Sequence, residues 1–377
     1  MSANGANGTQ SLSARLQARV AAAIGAEGGW MPFDRFMALA LYEPGLGYYA
    51  RDSRQFGALP GSGSDFTTAP ELSPLFGRAL AVQVAQALDA AQADEIIEFG
   101  AGSGALAAQL LTALGPRVRR YSIVDLSAVL RERQQHTLQA WAGCVQWLDA
   151  LPGAMHGVVL GNEVLDAMPV QLLHWSGLRW QERGVVLHEG ALHWGDRDTD
   201  LQPPVAGPDA PHAPYAPYAP GTVTEIHPQA EAFIRTLAER LTRGAAFFID
   251  YGFPEAEYYH PQRTGGTLMC HRAHQVDTDP LADVGEKDIT AHVDFTGIAL
   301  AGQDAGFDVL GYTSQARFLI NCGLPALLEG ADLRTVVPAQ KLIHEHEMGE
   351  LFKVIAFGRG ITLDPLGFAA GDRMHTL

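Results

Sequence analysis

The sequence predicts an α/β fold in which a mainly parallel sheet of about seven strands carries helices on both faces. Short apolar runs without polar alternation recur in residues 93–169 and 222–360, as is typical of parallel strands buried on both sides. Segments with helical periodicity separate these runs, and the first run ends in a glycine-rich turn. The chain has 377 residues, of which 47% are apolar, which is enough for one large domain with additional segments.

The segments outside this core have different patterns. Residues 1–10 are rich in Gly, Asn and Ser and are expected to be disordered, whereas residues 11–92 combine helical patterns with glycine-rich loops. Residues 170–221 begin as an alternating β-hairpin and end in an Ala-Pro-aromatic repeat, which predicts an extended, exposed loop. Residues 361–377 are expected to form a C-terminal tail.

In the first half of the chain, helical patterns come first and then alternate with strands from residue 94 onward. The periodicity predicts helices at residues 11–25, 33–42, 73–91, 105–114 and 127–140, the last with Ser127 as its N-cap. The apolar runs predict strands at residues 95–99, 121–124, 145–148 and 158–160.

The same alternation resumes at Glu225, after the insert. A helix at residues 228–243 begins with Pro228 and is followed by Gly244, the distribution of Pro and Gly expected at helix ends. Two more helices are predicted at residues 293–306 and 315–328. Three more strands are predicted at residues 245–249, 307–313 and 351–357.

Composition excludes several classes of protein. The formal net charge is −16, which argues against non-specific nucleic-acid binding and suits a neutral or cationic ligand, or solubility alone. Three isolated cysteines indicate neither a disulfide framework nor a metal site. No apolar run is long enough to predict a membrane span. The arginine-containing pattern at residues 12–24 has features of a mitochondrial transit peptide, but a first structural helix is the preferred interpretation.

The strongest signal for a ligand is the glycine-rich turn at which the first strand becomes a helix. Gly100, Ala101, Gly102 and Gly104 permit a tight turn and a close approach of the backbone to a ligand. The spacing also fits a dinucleotide-binding turn. Glu98 would repel a pyrophosphate but suits the cationic amino-acid part of S-adenosylmethionine, and no basic residue nearby in sequence is available to hold a phosphate. These features favour S-adenosylmethionine over a dinucleotide.

Carboxylates also follow the next two strands. Asp125, with Leu126 beside it, is expected to accept hydrogen bonds from the ribose hydroxyls of either cofactor, although an Asp that caps the next helix gives the same pattern. Asp149 follows the third strand and suits the adenine amino group, with Leu148 packing on the ring.

The fourth strand ends in a cluster of polar side chains. Asn162, Glu163 and Asp166 follow it, and ligands of open α/β sheets bind at the carboxyl ends of strands. The two carboxylates are three residues apart, so they would repel each other unless a cationic guest such as an amine or a guanidinium lies between them. An ordinary capped helix is the alternative interpretation.

Seven ordered motifs resemble those of the MidA-like S-adenosylmethionine-dependent methyltransferases. They lie at residues 42–49, 65–77, 98–104, 161–169, 249–252, 288–295 and 347–354. The resemblance covers residues 12–358 and implies a Rossmann-like, seven-stranded class I methyltransferase sheet with S-adenosylmethionine as cofactor. It also implies that residues 11–92 form a helical lid over the cofactor. Mitochondrial members of this family are respiratory complex I assembly factors that methylate an arginine.

The resemblance assigns chemistry to four side chains. Glu163 and Asp166 are expected to orient a guanidinium, and Glu71 is expected to reach the site from the lid. His292 is a candidate proton acceptor, because a histidine titrates near neutral pH. Asn162 is placed with the cofactor-binding residues, and no metal is expected. The pocket wall is expected to include Tyr48, Tyr49 and Tyr251.

The resulting hypothesis is a protein arginine N-methyltransferase acting on a respiratory complex I subunit. Neither nucleic acid nor membrane insertion is expected, and a homodimer is a candidate assembly. The expected location is the cytoplasm of a bacterium, or the mitochondrion if the protein is eukaryotic. A non-catalytic S-adenosylmethionine-binding assembly chaperone and a small-molecule methyltransferase stay open as alternatives, with a dehydrogenase as a more distant one.

Overall fold

The structure is a computed structural model that describes residues 11–50, 67–125, 127–204, 218–272 and 275–377. Its helices are α1 (Leu12–Ala26), α2 (Phe33–Tyr42), α3 (Ala69–Leu72), α4 (Pro74–Ala91), α5 (Ala105–Leu114), α6 (Ala128–Thr137), α7 (Pro228–Arg240), α8 (Glu255–Tyr258), α9 (Phe295–Asp304), α10 (Gln315–Asn321), α11 (Leu324–Leu328) and α12 (Leu333–Lys341). Its strands are β1 (Trp30–Pro32), β2 (Glu95–Phe99), β3 (Arg120–Val124), β4 (Val145–Leu148), β5 (Met155–Asn162), β6 (Gln171–Trp175), β7 (Trp180–His188), β8 (Ala191–Asp198), β9 (Val223–Ile226), β10 (Leu241–Phe253), β11 (Met269–Arg272), β12 (Gln275–Asp277), β13 (Asp288–Thr290), β14 (Val293–Asp294), β15 (Asp308–Ser314) and β16 (Phe352–Arg359).

The main sheet is mixed, with the order β15-β16-β10-β5-β2-β3-β4. The run from β10 to β4 is parallel, and β16 is antiparallel to both of its neighbours. The two-residue strand β14 pairs with the end of β10, so the sheet has eight strands where the sequence predicted about seven. The parallel run brings the carboxyl ends of β2, β3, β5 and β10 to one edge of the sheet.

Both faces of this sheet are covered by helices. Along β10, Ala245, Phe247 and Ile249 contribute to a core with α4, α5 and α10, because alternate side chains of a strand point to opposite faces. Ala246 and Phe248 contribute to a second core with α7 and α9. This double burial explains why the strands are apolar runs without alternation.

A second, antiparallel sheet joins two segments that are far apart in sequence. Its order is β1-β7-β6-β9, with β8 on the other side of β7. The predicted hairpin therefore has three strands, and β1 from the N-terminal segment pairs with β7. Helices α1 and α2 bury Leu16 and Phe36 in the same hydrophobic core as Leu172 of β6. Helix α4, by contrast, packs on the main sheet, so the segment predicted as one lid is divided between two sheets.

Several predicted boundaries shift for local reasons. The helix predicted at residues 315–328 is divided into α10 and α11 at Gly323, which has a left-handed backbone with φ of 86°. Helix α7 ends at Arg240 because Leu241 already pairs with Met155 of β5. Residues 361–377 pack on the protein: Phe368 is buried, and the carbonyl of Gly371 accepts a hydrogen bond from the Thr313 hydroxyl at 2.6 Å.

Some expectations concern segments that the structure does not describe, namely residues 1–10 and most of the Ala-Pro-aromatic repeat. Within the described ranges, no helix has the length and hydropathy required to cross a membrane. The same part of the chain contains no cluster of three or more His, Cys, Asp or Glu side chains suited to a metal ion.

Candidate active site

A cavity of about 840 Å³ lies at the edge of the main sheet where the parallel strands end. This volume is within the range of roughly 300–1,000 Å³ that small-molecule sites occupy. Five carboxylic side chains line the cavity, namely those of Glu98, Asp125, Glu163, Asp166 and Asp288. Neither lysine nor arginine is present among its described lining residues. The cavity is therefore suited to guests that carry positive charge.

The glycine-rich turn forms one wall of this cavity. Gly100, Gly102 and Gly104 have φ angles of 61°, 53° and 83°, which a residue with a side chain adopts only with strain. A Cβ atom at Gly100 would lie only 3.1 Å from Cγ2 of Val164. The turn therefore brings bare backbone and the N-terminus of α5 to the cavity, as binding a ligand through the main chain requires.

Glu98 is buried at the end of β2, and its Oε2 accepts a hydrogen bond from the Tyr121 hydroxyl at 2.7 Å. Burial raises the pKa of Glu98 to about 7, although the Tyr121 hydrogen bond lowers it and Asp125 raises it further. A positively charged group beside Glu98 would favour the ionised form.

Asp125 follows β3, and both of its oxygens have protein donors. The Ser127 backbone N–H donates to Oδ1 at 2.9 Å, and the side-chain amide of Gln134 donates to Oδ2 at 2.7 Å. The carboxylate is therefore fixed in orientation at the cavity wall.

The loop after β5 is held in place by Asp250 of β10. Oδ2 of Asp250 accepts hydrogen bonds from the backbone N–H groups of Val164, Leu165 and Asp166 at 3.1, 2.9 and 3.2 Å. Glu163 has a φ of 54°, a strained conformation for a residue other than glycine. Strain of this kind persists only where surrounding contacts impose it, and the three hydrogen bonds to Asp250 supply that constraint.

Glu163 and Asp166 lie in this loop without a basic partner among the described cavity-lining residues. Asn162 donates to Oε1 of Glu163 at 3.0 Å, and the Tyr251 hydroxyl donates to Oδ2 of Asp166. Burial raises the pKa of Glu163 to about 8, with Asp166 adding to the increase. Burial also raises the pKa of Asp166 to about 6, against the effect of the Tyr251 hydrogen bond.

The opposite wall comes from the N-terminal segment and from β13. The Tyr49 hydroxyl donates to Oδ1 of Asp288 at 2.8 Å, and the ring of Tyr49 stacks on that of Tyr42 with centroids 5.7 Å apart. His292 meets the Tyr251 ring edge-on at 5.1 Å. Burial lowers the pKa of His292 to about 4, so its ring is neutral at pH 7 and a weaker proton acceptor than the histidine titrating near neutral pH that the sequence predicted.

Comparison with known proteins identifies what binds in such a cavity. Residues 78–313, more than half of the chain, match the profile of a family of S-adenosyl-L-methionine-dependent methyltransferases. The chain belongs to this family. The resemblance to MidA-like methyltransferases is thereby confirmed, and the cofactor of this methyltransferase is S-adenosylmethionine.

Solved structures and curated relatives agree with this assignment. A Burkholderia thailandensis protein crystallised with S-adenosyl-homocysteine is 52% identical, with a TM-score of 0.91 over 97% of each chain. The "Protein arginine methyltransferase NDUFAF7, mitochondrial" of Danio rerio is 26% identical over 84% of this chain and 81% of its own length. The corresponding homologue of Drosophila melanogaster is 25% identical over 94% of this chain and 86% of its own length.

The residues of this methyltransferase fit its cofactor. S-adenosylmethionine combines a sulfonium and an ammonium with a ribose and an adenine ring. By their chemistry, Glu98 would suit the ammonium and Asp125 the ribose hydroxyls, and the bare backbone at Gly100 and Gly102 permits close approach; these assignments stay predictions. The ring of Phe99 and the side chain of Leu130 add apolar surface to the same cavity.

Most of the predicted site residues of this methyltransferase line one cavity. They are Glu98, Gly100, Ala101, Gly102, Asp125, Asn162, Glu163, Asp166 and His292. Gly104 instead supports the turn by starting α5. Leu126 lies outside the described residues.

Three predicted residues of this methyltransferase are not among those that line the cavity. The Asp149 side chain is 86% exposed and pairs with Arg131, and Leu148 is half-buried in β4. Leu151 lines the cavity in this region instead. Glu71 is on α3 next to the lining residue Pro70, and its Oε1 lies 3.8 Å from Arg133.

Three side chains that organise this methyltransferase site are not among the residues predicted from the sequence. Asp250 fixes the Glu163 loop, Gln134 fixes Asp125, and Asp288 is the fifth carboxylate of the cavity. Asp250 could have been predicted as a site residue, because it directly follows a buried apolar strand and so lies at the edge where ligands bind. Nothing local in the sequence links Asp288 to Tyr49, 239 positions away.

Proposed function

We propose that this methyltransferase methylates an arginine nitrogen of a protein and that the protein is a subunit of respiratory complex I. The similarity to curated mitochondrial protein arginine methyltransferases supports the arginine. The complex I subunit comes from the resemblance to MidA-like proteins. The chemistry of the cavity supports a cationic acceptor independently of both.

The observation that carries the proposal is a set of buried acceptor atoms without hydrogen-bond partners. They are Oδ1 of Asn162, Oδ1 of Asp166 and Nδ1 of His292, and all three residues line the cavity. Buried polar atoms are almost always paired in folded proteins, so these three are suited to donors that a guest supplies. A guanidinium brings five N–H donors and a permanent positive charge, which matches both the acceptors and the carboxylates.

The side chains then have distinct tasks. S-adenosylmethionine supplies a methyl group bonded to a positively charged sulfur. Glu163 and Asp166 accept N–H donors from the guanidinium and fix its plane, so that one nitrogen is free to accept the methyl group. That nitrogen must lose a proton, and the neutral ring of His292 or one of the two carboxylates takes it. Asp250 and Tyr251 keep the pair in position.

Label transfer from S-adenosylmethionine to isolated complex I subunits tests this proposal. We expect one arginine to be labelled, and we expect replacement of that arginine by lysine to abolish the label. Glu163→Gln and Asp166→Asn should each lower kcat by roughly 100-fold or more, because they remove contacts made to the reacting group. Asp149→Asn is the matched control, since Asp149 is exposed and lies outside the cavity.

Three outcomes would contradict the proposal. If the variants lose no activity, the pair does not orient the acceptor. If the protein binds S-adenosylmethionine and supports complex I assembly but labels no subunit, it is an assembly chaperone. Labelling of small amines alone would identify a small-molecule methyltransferase.

A further inference from the structure

One buried glutamine connects two parts of the cavity wall with the neighbouring strand β4. Gln134 lies on α6 and is fully buried, on the same helix face as Leu130 and Leu138. A buried glutamine is uncommon, because an amide away from water requires hydrogen bonds to all of its polar atoms. This face of α6 points toward the glycine turn: a Cβ atom at Gly104 would lie 3.5 Å from the Cα atom of Gln134.

The amide of Gln134 uses its donors and its acceptor. Its Nε2 donates to the carbonyl of Gly102 at 3.0 Å and to Oδ2 of Asp125 at 2.7 Å. Its Oε1 accepts from the indole Nε1 of Trp147 at 2.8 Å. One side chain therefore ties the glycine turn, the carboxylate after β3 and strand β4 together.

The chemistry of this position is specific to an amide. A glutamate would accept from Trp147, but once ionised it would have no donor for Gly102 and would repel Asp125. A lysine would donate but would leave Trp147 without an acceptor. Only an amide offers both functions in this arrangement without adding charge.

We propose that Gln134 is a positioning residue for S-adenosylmethionine binding: it fixes Asp125 and the glycine turn in the geometry that the ribose and the amino-acid part of the cofactor require. It does not line the cavity and is therefore not a catalytic residue. The proposal goes beyond the proposed function, because it concerns the cofactor and holds whichever acceptor is methylated.

The test measures the affinity of the full-length protein for S-adenosyl-homocysteine by calorimetry. We expect Gln134→Glu to raise Kd by roughly 10–100-fold, because it removes a charge-assisted hydrogen bond and adds repulsion. Gln134→Met, which has a similar shape and no charge, should raise Kd by about 10-fold. Gln83→Met is the matched control, since Gln83 is an equally buried glutamine on α4 that bonds the C-terminal segment and does not line the cavity.

The pH dependence separates positioning from general destabilisation. A protonated glutamic acid at position 134 again donates to Asp125, so Gln134→Glu should regain affinity as the pH falls from 8 to 6, whereas Gln134→Met should not. The charged groups around this position are Asp125, Glu98, Arg131 with its partner Asp149, and Arg133 with Glu71. They are common to both variants, so the difference between the variants isolates position 134.

Thermal unfolding of each variant supplies the remaining control. Both Gln134 variants and Gln83→Met are expected to lower Tm, but only the Gln134 variants should weaken binding. Unchanged affinity in Gln134→Met, or an equal loss in Gln83→Met, would overturn the proposal. If Gln134→Glu does not fold, Gln134→Met alone decides between these outcomes.

Discussion

Glu163 and Asp166, the carboxyls proposed to orient the arginine, should share a proton at neutral pH, and binding of an arginine peptide should release it. Glu163 and Asp166 lie in one loop whose backbone N–H groups, including that of Asp166, are held by Asp250. Two buried like charges without a counter-charge do not both ionise, so the pair retains a proton until a cation enters.

The number of protons released for each bound peptide follows from the protonation of these two carboxyls. With a pKa of about 8, Glu163 is about nine-tenths protonated at pH 7. Burial also raises the pKa of Asp166, so this carboxyl too holds a proton more readily than an exposed Asp. A guanidinium between them favours both ionised forms, so about one proton should leave for each peptide bound.

The affinity for the peptide should depend on pH, because peptide binding and proton binding compete at the same carboxyls. The peptide binds the ionised pair, and protonation competes with it below a pH of about 8. Affinity should therefore rise with pH by up to about tenfold per unit between pH 6 and 8 and level off above that. Among the described residues, eight other titratable side chains line the same cavity, namely Tyr42, Tyr49, Glu98, Asp125, Tyr251, His271, Asp288 and His292. Asp250 lies directly behind the pair.

Calorimetry in buffers of different ionisation enthalpy measures the released proton directly. The protein should first be saturated with S-adenosyl-homocysteine, so that the ammonium of this ligand already compensates Glu98. We expect about one proton released at pH 7, and close to none for Glu163→Gln. A peptide with citrulline in place of arginine is uncharged and should bind weakly without releasing a proton. Tight binding of the arginine peptide with no buffer dependence would refute the reasoning while leaving the proposed substrate intact.

Two further predictions concern the same loop, and a third concerns the carboxyls with raised pKa values. Glu163→Gly should raise Tm by a few degrees, because glycine adopts a φ of 54° without strain, yet this variant should lose methyl transfer. Glu163→Gln keeps the backbone strain, so its Tm should not rise. An equal rise in the Tm of Glu163→Gln would contradict this explanation. Tyr251→Phe removes the hydroxyl that donates to Asp166, so the pKa of the Asp166 carboxyl should rise and the pH–rate profile should shift to higher pH. An unchanged profile would show that the Tyr251 hydroxyl does not control the protonation of Asp166. The Tm of the cofactor-free protein should fall as the pH rises from 6.5 to 8.5. In the folded protein the pKa values of Glu98, Glu163 and Asp294 are about 7, 8 and 7, so these carboxyls bind more protons in the folded state than in the unfolded state. A flat or rising Tm would contradict the direction of these pKa shifts.

The strand ends were predictable from the sequence, because topology alone brings them together. Glu98, Asp125 and Glu163 each follow an apolar run, and the carboxyl ends of neighbouring parallel strands meet at one edge of the sheet. Asp149 fits the same rule by position, but its side chain points to solvent and pairs with Arg131. A residue at a strand end is thus a candidate by topology, and the local loop conformation decides where its side chain lies.

The rest of the site depends on long-range contacts that leave little local trace. The three-residue strand β1 carries no alternating pattern of its own and is defined by its pairing with β7. The contact between Tyr49 and Asp288 likewise joins segments that the sequence separates widely. Gln134 is an intermediate case, because it occupies the apolar face of α6 between Leu130 and Leu138, and a polar residue on such a face signals a buried hydrogen-bond network.

The charge of the cavity does not follow from the net charge of −16. In salt, the electric field of a surface carboxylate decays over about one Debye length. Surface carboxylates therefore contribute mainly to the rate at which a basic peptide encounters the protein. In the cavity, Glu98 is buried and Glu163 is half-buried, and their removal from water keeps both partly protonated near pH 7 until a cation compensates them. A neutral guest gains little from such a pair, whereas a cation gains the attraction of the ionised carboxylates less the cost of displacing a proton. Selectivity for positive charge therefore comes from a few carboxyls that ionise when a cation enters, and it should respond to pH more strongly than to salt.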